Sequence, residues 1–220
     1  MRDAVDRYPW PESGECWRAV MVMAPDGSIH GSDGRSGSIS GPADRAVLFG
    51  IRALADAVLI GAQTFRAERY RPMKVNPEYS TARAQAGLAS APRLVIVSGS
   101  LDLPWDEDAF HDSDFPPIVV TRSGHSSQTL AAVPNGCELL ESSGDRIDLP
   151  WMRQQLTDRG LQRVACEGGA VLLRSLEEAG QIDEWDVTLS HRLPGRDLHL
   201  LATDTEDGFV FTRFVREEQS

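Results

Sequence analysis

Short apolar segments recur along the chain, and stretches with helical periodicity separate them. Residues 57–61 (AVLIG) and 93–98 (RLVIVS) are continuous apolar runs of strand length, which is typical of strands buried on both faces. Further strands are predicted at 17–24, 117–121, 137–141 and 162–167, with helices over 42–55, 150–160 and 170–179 and a short helix or turn at 63–70. This alternation indicates a mostly parallel sheet covered by helices.

The last part of the chain has a different pattern. Residues 183–193 and 208–215 alternate apolar and polar side chains, which predicts two strands paired antiparallel. We therefore predict an α/β fold, a three-layer domain over residues 17–220 with a mostly parallel central sheet and an antiparallel edge formed by the C-terminal strands. An N-terminal arm covers residues 1–16, and its YPWP sequence (8–11) fits an extended strap or a mobile tail. A break into two domains near 71–92 stays open.

Charge and composition restrict the possible partners. The net charge is −11, from 22 basic and 33 acidic residues, which argues against nucleic acid as a ligand. All basic residues except Lys74 are arginines, whose forked donors suit phosphate or carboxylate. The three cysteines form no CxxC, so we expect no metal site and no disulfide. The chain shows neither a membrane-length apolar run nor a signal-peptide core, and we expect a cytoplasmic protein.

The sequence Glu167-Gly168-Gly169 stands where a predicted strand passes into a predicted helix. In a parallel sheet, ligands bind beyond the carboxyl ends of the strands, and a helix N-terminus there favours an anion. Glycines let the backbone approach a phosphate closely because no Cβ intervenes. The pair also fits a plain tight turn, and the motif alone does not separate the two interpretations.

A second candidate site follows the strand at 57–61. Thr64 and Arg66 come within one turn of Gly61, and a hydroxyl with a guanidinium suits phosphate or ribose oxygens. Arg66, Arg69, Arg71 and Lys74 form the densest basic cluster of this acidic chain. The arginines at 66–71 are the predicted site for a 2′-phosphate, and a solvated helix face is the alternative.

A third candidate is the loop at 25–41, which is rich in Gly, Ser and Asp. Loops of this length and composition are often functional. Three roles are open for Asp26: it binds a polar ligand, it passes a proton, or its side chain hydrogen-bonds to its own backbone. Ser36 and Ser38 are candidate ligand contacts, and Arg52 lies on the helix that follows.

Four segments together carry a resemblance: APDGS…DGRSGSIS (24–40), LADAVLIGAQTFRAE (54–68), VACEGGAVLL (164–173) and GQIDEWDVTLS (180–190). In this order and spacing they resemble the pyrimidine reductase domain of the riboflavin-biosynthesis family, the RibD C-terminal domain. The resemblance extends over about residues 17–215. It implies a dihydrofolate-reductase-like fold, a homodimer with Trp185 among its contacts, and NADPH-dependent reduction of the ribosyl group of a phosphoribosylamino-pyrimidine.

The resemblance also implies roles for individual residues. Glu167 lies beside the substrate ribose and, with Asp26, is a candidate to supply or relay a proton. Ser36 and Arg52 match substrate-binding positions, and Ser38 stands where the family has a tryptophan. The residues expected to bind the cofactor are Thr64, Arg66, Glu68, Ser98, Gly168, Gly169, Ala170, Val171 and Leu172.

Departures from the family pattern concentrate in the expected substrate pocket. Ser28 replaces a basic residue and Ser38 the tryptophan, which changes the charge and stacking surface of that pocket. Two alternatives therefore accompany the main prediction. One is a reductase of a pteridine, dihydrofolate-type or other heterocyclic substrate with the same cofactor. The other is a non-catalytic dinucleotide-binding protein.

Overall fold

A computed structural model describes residues 4–193 and 196–216 of the chain. Residues 1–3 of the predicted arm, and 194–195 and 217–220 of the predicted domain, lie outside the described residues. The helices are α1 (Ala4–Arg7), α2 (Pro42–Ala53), α3 (Ala62–Glu68), α4 (Ser80–Gln85), α5 (Asp108–His111), α6 (Ser127–Ala131), α7 (Leu149–Thr157) and α8 (Ala170–Glu178), with 3₁₀ turns at Ser36–Ser38 and Pro77–Tyr79.

The strands are β1 (Cys16–Met23), β2 (Ala57–Gly61), β3 (Arg93–Val97), β4 (Ile118–Arg122), β5 (Glu138–Ser142), β6 (Arg163–Gly168), β7 (Glu184–Leu189), β8 (Arg192–Leu193), β9 (Arg196–Glu206) and β10 (Phe209–Arg216). Over the described residues, β1 to β7 form one sheet in the order β5-β4-β3-β2-β6-β1-β7, and β10-β9-β8 form a second sheet. The pairs β1–β6, β2–β6, β2–β3, β3–β4 and β4–β5 are all parallel. The predicted α/β class and mostly parallel sheet are confirmed.

The C-terminal strands differ from the prediction in their partners. Segment 208–215 was expected to pair with segment 183–193 and to form an edge of the main sheet. Instead, β10 pairs antiparallel with β9 (Arg196–Glu206), a strand that the sequence analysis missed, and the two belong to the separate sheet. A two-residue turn at 207–208 with positive φ angles joins β9 to β10. Because this turn is that of a tight hairpin, β10 pairs with the strand directly before it in the sequence.

The chain divides into two compact units. The first runs to Val20 and resumes over Ala46–Asp186, and the second combines Met21–Arg45 with the residues from Val187 onward. Within the second unit, Ser190 Oγ donates to Ile39 O at 2.5 Å and Arg192 Nη1 donates to Ser40 O at 2.8 Å. These bonds attach the loop at 25–41 to the chain beyond β7.

The core of the first unit lies on both faces of the sheet. Alternate residues of β2 enter different apolar clusters: Ala57 and Leu59 pack with Trp17 and Met152, while Val58 and Ile60 pack with Phe65 and Phe110. These β2 side chains are fully buried, which explains why the strand reads as a continuous apolar run. Helices on both faces give the predicted three layers.

The described part of the arm packs as a strap on the first unit. Arg18 is 1% exposed and donates to the carbonyls of Tyr8 and Pro9 at 3.0 and 2.8 Å. Its guanidinium lies 4.4 Å from the ring centroid of Trp10, whose Nε1 donates to Ile51 O at 3.1 Å. The strap alternative for the YPWP sequence therefore describes this segment.

The helices within residues 4–193 and 196–216 are all too short or too polar to cross a membrane.

Candidate functional site

The turn between β6 and α8 is shaped by two glycines. Gly168 has a φ of +107°, in the region that favours glycine, and Gly169 is the N-cap of α8; the peptide bond between them is cis. The N–H of Leu173 donates to Gly169 O at 3.0 Å and closes the first turn of the helix. The N–H groups of Ala170, Val171 and Leu172 therefore have no carbonyl partner within α8, which is the arrangement that binds anions at helix N-termini.

Thr64 lies against this turn. It belongs to α3, which begins directly after β2, and β2 is the neighbour of β6 in the sheet. A Cβ added at Gly169 would lie 2.8 Å from Thr64 Oγ1, too close for any side chain without movement. The two helices that follow neighbouring parallel strands thus begin next to each other, with a hydroxyl and bare backbone between them.

Glu167 occupies an irregularity of β6. In the ladder with β2, Leu59 is opposite Cys166 but Ile60 is opposite Gly168, so Glu167 is an extra residue without an opposing partner. Such a bulge redirects a side chain relative to the regular pleat and is frequent next to active sites. The sequence marks Glu167 as a lone charge at the end of a buried strand, but it does not mark the bulge.

The carboxylate of Glu167 is held by two side chains. Arg52 Nε donates to Oε1 and Arg52 Nη2 donates to Oε2, both at 2.5 Å, in a forked pair. Tyr70 Oη donates to the same Oε2 at 3.0 Å. The Glu167 side chain is 4% exposed and that of Arg52 is 20% exposed, so water screens this ion pair weakly.

This cluster shifts two pKa values. Burial of the Tyr70 phenol and then the charge of Glu167 raise the pKa of Tyr70 well above its ordinary value, so the hydroxyl stays a donor. Burial of the Arg52 guanidinium opposes its charge, but the carboxylate of Glu167 and its hydrogen bonds outweigh burial and raise the pKa of Arg52. Arg52 and Tyr70 therefore hold the carboxylate of Glu167 in place, and donors occupy both acceptor sites of its Oε2.

Two other residues of α3 that were predicted to bind the cofactor, Arg66 and Glu68, follow Thr64 in the sequence. Arg66 Nη1 donates to Asp102 O at 2.5 Å and lies 3.6 Å from the Asp102 carboxylate, with 42% of the Arg66 side chain exposed. Glu68 is the last residue of α3. The rest of the basic cluster, Arg69, Arg71 and Lys74, is exposed.

The remaining cofactor positions divide into exposed and buried. Val171 is 76% exposed at the start of α8, whereas the Leu172 side chain packs into the core, so Leu172 offers a ligand its backbone N–H. Ser98 is 2% exposed beyond β3, and its Oγ accepts from Leu101 N at 3.1 Å. The Ser98 hydroxyl therefore stabilises its own turn.

The predicted residues of the 25–41 loop lie in the second unit. Asp26 Oδ1 accepts from Ser28 N at 3.0 Å, the bond to its own backbone that was one of the alternatives. Ser38 Oγ bonds to Asp33 Oδ1 at 2.8 Å and to Arg35 O at 2.9 Å. Ser36 begins the 3₁₀ turn and is partly buried. Their roles toward substrate and proton stay predictions.

The structure thus brings together Thr64 with Gly169, and Arg52 with Glu167. The sequence analysis missed Tyr70, which lies 97 positions before its partner Glu167. Tyr70 follows the end of α3 at Glu68 and Arg69 with its left-handed φ of 52°, and no local pattern in the sequence marks it.

Comparison with known proteins gives a consistent result. The family model of the RibD C-terminal domain matches residues 18–204. The 2,5-diamino-6-ribosylamino-4(3H)-pyrimidinone 5′-phosphate reductase of Methanothermobacter thermautotrophicus is 26% identical over 181 residues, 82% of this chain and 80% of the relative. The chloroplastic riboflavin biosynthesis protein PYRR of Zea mays is 32% identical over 163 residues, 73% of this chain, which spans 24% of the maize protein.

Among solved structures, a pyrimidine reductase-like protein from Corynebacterium diphtheriae superposes with a TM-score of 0.78 at 23% identity, covering 100% of both chains. This likeness shows the fold.

Proposed function

Because the chain belongs to the family of the RibD C-terminal domain, we propose that it is an NADPH-dependent reductase of riboflavin biosynthesis. The proposed reaction reduces the ribosyl group of a phosphoribosylamino-pyrimidine to a ribityl chain. The similarity to the Methanothermobacter relative, which is named as a ribosylamino-pyrimidinone 5′-phosphate reductase, supports this substrate. The observation that carries the proposal is the Gly168-Gly169 turn, which opens the N-terminus of α8 beside Thr64.

The residues at this turn fit the phosphates of a dinucleotide. The N–H groups of Ala170, Val171 and Leu172 and the positive end of the α8 dipole stabilise negative charge there. The Thr64 hydroxyl lies 2.8 Å from the position of a Cβ at residue 169, so the glycine allows this hydroxyl to stand beside the helix N-terminus. When bound, NADPH supplies the hydride, and the protein contributes position and charge.

The arginine-rich segment that begins at Arg66 is the proposed site for the 2′-phosphate. Glu167 is assigned to ligand positioning, because Arg52 and Tyr70 hold its carboxylate in place through three hydrogen bonds. Asp26 stays the candidate for proton relay, which is the other role the sequence predicted.

We further propose a homodimer in the cytoplasm. Trp185 is 42% exposed on β7 and donates through Nε1 to Glu177 Oε2 at 3.0 Å, so its indole face is available to a second copy. Light scattering on wild type and Trp185→Ser tests the assembly. A monomeric wild type would contradict it.

Cofactor binding tests the proposal directly. We expect NADPH at about a hundred times its Kd to stabilise the wild type by about 2.7 kcal/mol, with a smaller effect of NADH. Gly169→Ala should weaken this stabilisation, because the new Cβ meets Thr64 Oγ1 at 2.8 Å and the Thr64 hydroxyl has to move. Thermal unfolding with and without each dinucleotide measures both effects.

Gly136→Ala is the matched control, because a Cβ there meets nothing within 4 Å. It should bind NADPH like the wild type. Normal binding by Gly169→Ala would show that the dinucleotide lies elsewhere, and the absence of stabilisation in the wild type would remove the reductase proposal.

A second candidate, a reductase of a pteridine or other heterocycle, is favoured by one observation. The Ser38 hydroxyl is engaged by Asp33 and Arg35 within its own loop, at the position where a substrate-stacking tryptophan was expected. NADPH oxidation with a panel of pyrimidine, pteridine and dihydrofolate substrates separates the candidates. Turnover of pteridines alone would replace the primary proposal.

A further inference from the structure

The hydrogen-bond capacity of Glu167 is nearly used up. A carboxylate offers about four acceptor sites, two on each oxygen. Oε2 accepts from Arg52 Nη2 and Tyr70 Oη, whereas Oε1 accepts from Arg52 Nε. Among the contacts of the described residues, this leaves one acceptor site, and it lies on Oε1.

Tyr70 is fixed by contacts other than its bond to Glu167. Its ring stacks on Phe65 with centroids 6.4 Å apart and an interplanar angle of 19°, and the Arg52 guanidinium lies 5.6 Å from its centroid. Phe65 itself is fully buried in the core. The hydroxyl thus occupies its place on Oε2 before any ligand arrives.

We infer that Tyr70 is a positioning residue that fills Oε2 of Glu167 and so leaves Oε1 as the oxygen that receives a hydrogen bond from the ligand. The raised pKa of Tyr70 is consistent with this, because the phenol stays protonated at working pH. The inference rests on the proposed function for the identity of the ligand.

This arrangement selects the chemical class of the ligand group that faces Glu167. The remaining site on Oε1 is an acceptor site, so the facing group must be a hydrogen-bond donor such as a sugar hydroxyl or an amine. Carbonyl and phosphate oxygens are rejected, because two acceptors placed together leave both without a partner. Without the Tyr70 hydroxyl, one site opens on Oε2, so the carboxylate has two open sites and loses one of its fixed contacts.

Kinetics of three proteins test the inference: wild type, Tyr70→Phe and Tyr8→Phe. The Tyr8 control deletes a phenol hydroxyl elsewhere in the same unit, and Tyr8 accepts its hydrogen bond from Arg18 at the backbone carbonyl, which the substitution keeps. For Tyr70→Phe we expect kcat/KM for the pyrimidine substrate to fall about tenfold, the effect of one hydrogen bond, with NADPH affinity unchanged. A Tyr70→Phe enzyme as active as Tyr8→Phe would overturn the inference.

A second measurement keeps the inference separate from the proposed function. In protein labelled with ¹³C at glutamate carboxyls, the Glu167 signal is assigned by its loss in Glu167→Gln. Tyr70→Phe should shift that signal and Tyr8→Phe should leave it in place. If the wild type turns over no pyrimidine substrate, the proposed function fails, and an unshifted Glu167 signal in Tyr70→Phe is then the result that overturns the positioning role.

Discussion

Arg52 and Arg66 lie on successive helices of the same compact unit, and their surroundings differ. Arg52 meets Glu167 through two hydrogen bonds at 2.5 Å, and the carboxylate is 4% exposed. Arg66 lies 3.6 Å from Asp102, whose side chain is 82% exposed. In the first pair neither charge is well hydrated, so each depends on the other; in the second, water solvates both.

A high density of charged residues along the sequence therefore does not indicate where a buried ion pair lies. The segment from Arg66 to Lys74 is the densest basic cluster of the chain, yet its members are exposed. Arg52 lies outside that cluster, on α2, and it holds the glutamate on the bulge of β6.

Removal of the buried guanidinium should have the largest effect. Arg52→Met keeps the aliphatic stem but leaves Glu167 as an unpaired buried charge, so we expect a loss of about 3 kcal/mol in the free energy of unfolding. Urea denaturation measures it, with Arg66→Met as the matched control. The double variant Arg52→Met/Glu167→Gln should recover part of the loss; additive losses would mean that the two side chains are independent.

Loss of the Tyr70 hydroxyl should have an intermediate effect. Tyr70→Phe removes one hydrogen bond to Glu167, and we expect a loss of about 1 kcal/mol at neutral pH. The comparison to make is with Tyr8→Phe, and equal stabilities of the two variants would show that the bond contributes nothing.

The raised pKa of Tyr70 adds a dependence on alkaline pH. The folded protein binds the phenol proton more tightly than the unfolded chain, so this stabilisation is complete below the unfolded pKa of about 10 and is lost as pH rises through the folded value. An ultraviolet titration of phenolate in the folded protein should show a late phase that Tyr70→Phe lacks and Tyr8→Phe retains. A wild type without that phase would contradict the burial of the phenol.

Arg66→Met should have the smallest effect on stability, below about 0.5 kcal/mol, because the pair with Asp102 is exposed. If the proposed 2′-phosphate site is correct, the same variant lowers the preference for NADPH over NADH severalfold. Dinucleotide titrations followed by thermal unfolding measure the preference. An unchanged preference would assign Arg66 to the surface alone.

The central strands of the fold were predictable because burial on both faces leaves a direct trace in the sequence. The segment 57–61 was predicted with the same bounds as β2, and β3 to β6 were located within one or two residues. The strand β9 was missed because its exposed ribbon needs no apolar face: Asp204 and Glu206 stand in it beside Leu200 and Leu201. Its partner β10, with the same exposure, was found through its aromatic alternation.

The site was predictable only in part. Glu167, Gly168 and Gly169 were found because a charge and two glycines at the end of a buried strand are unusual. Tyr70 was not found, because its function depends on a contact across 97 positions that no local pattern encodes. The bulge in β6 was likewise hidden, since an unopposed residue is a property of two strands together and leaves no mark in either one.

The unopposed residue in β6 also bears on how this segment tolerates changes in length. Side chains of a strand alternate between faces, so the loss of one residue reverses the parity of all that follow. Deletion of Glu167 would bring Gly168 into its place beside Cys166, turn the ladder regular and shorten the approach to α8 by one step. The Glu167 carboxylate and the glycine turn therefore depend on each other: an insertion or deletion that shifts one of them along the chain also displaces the other.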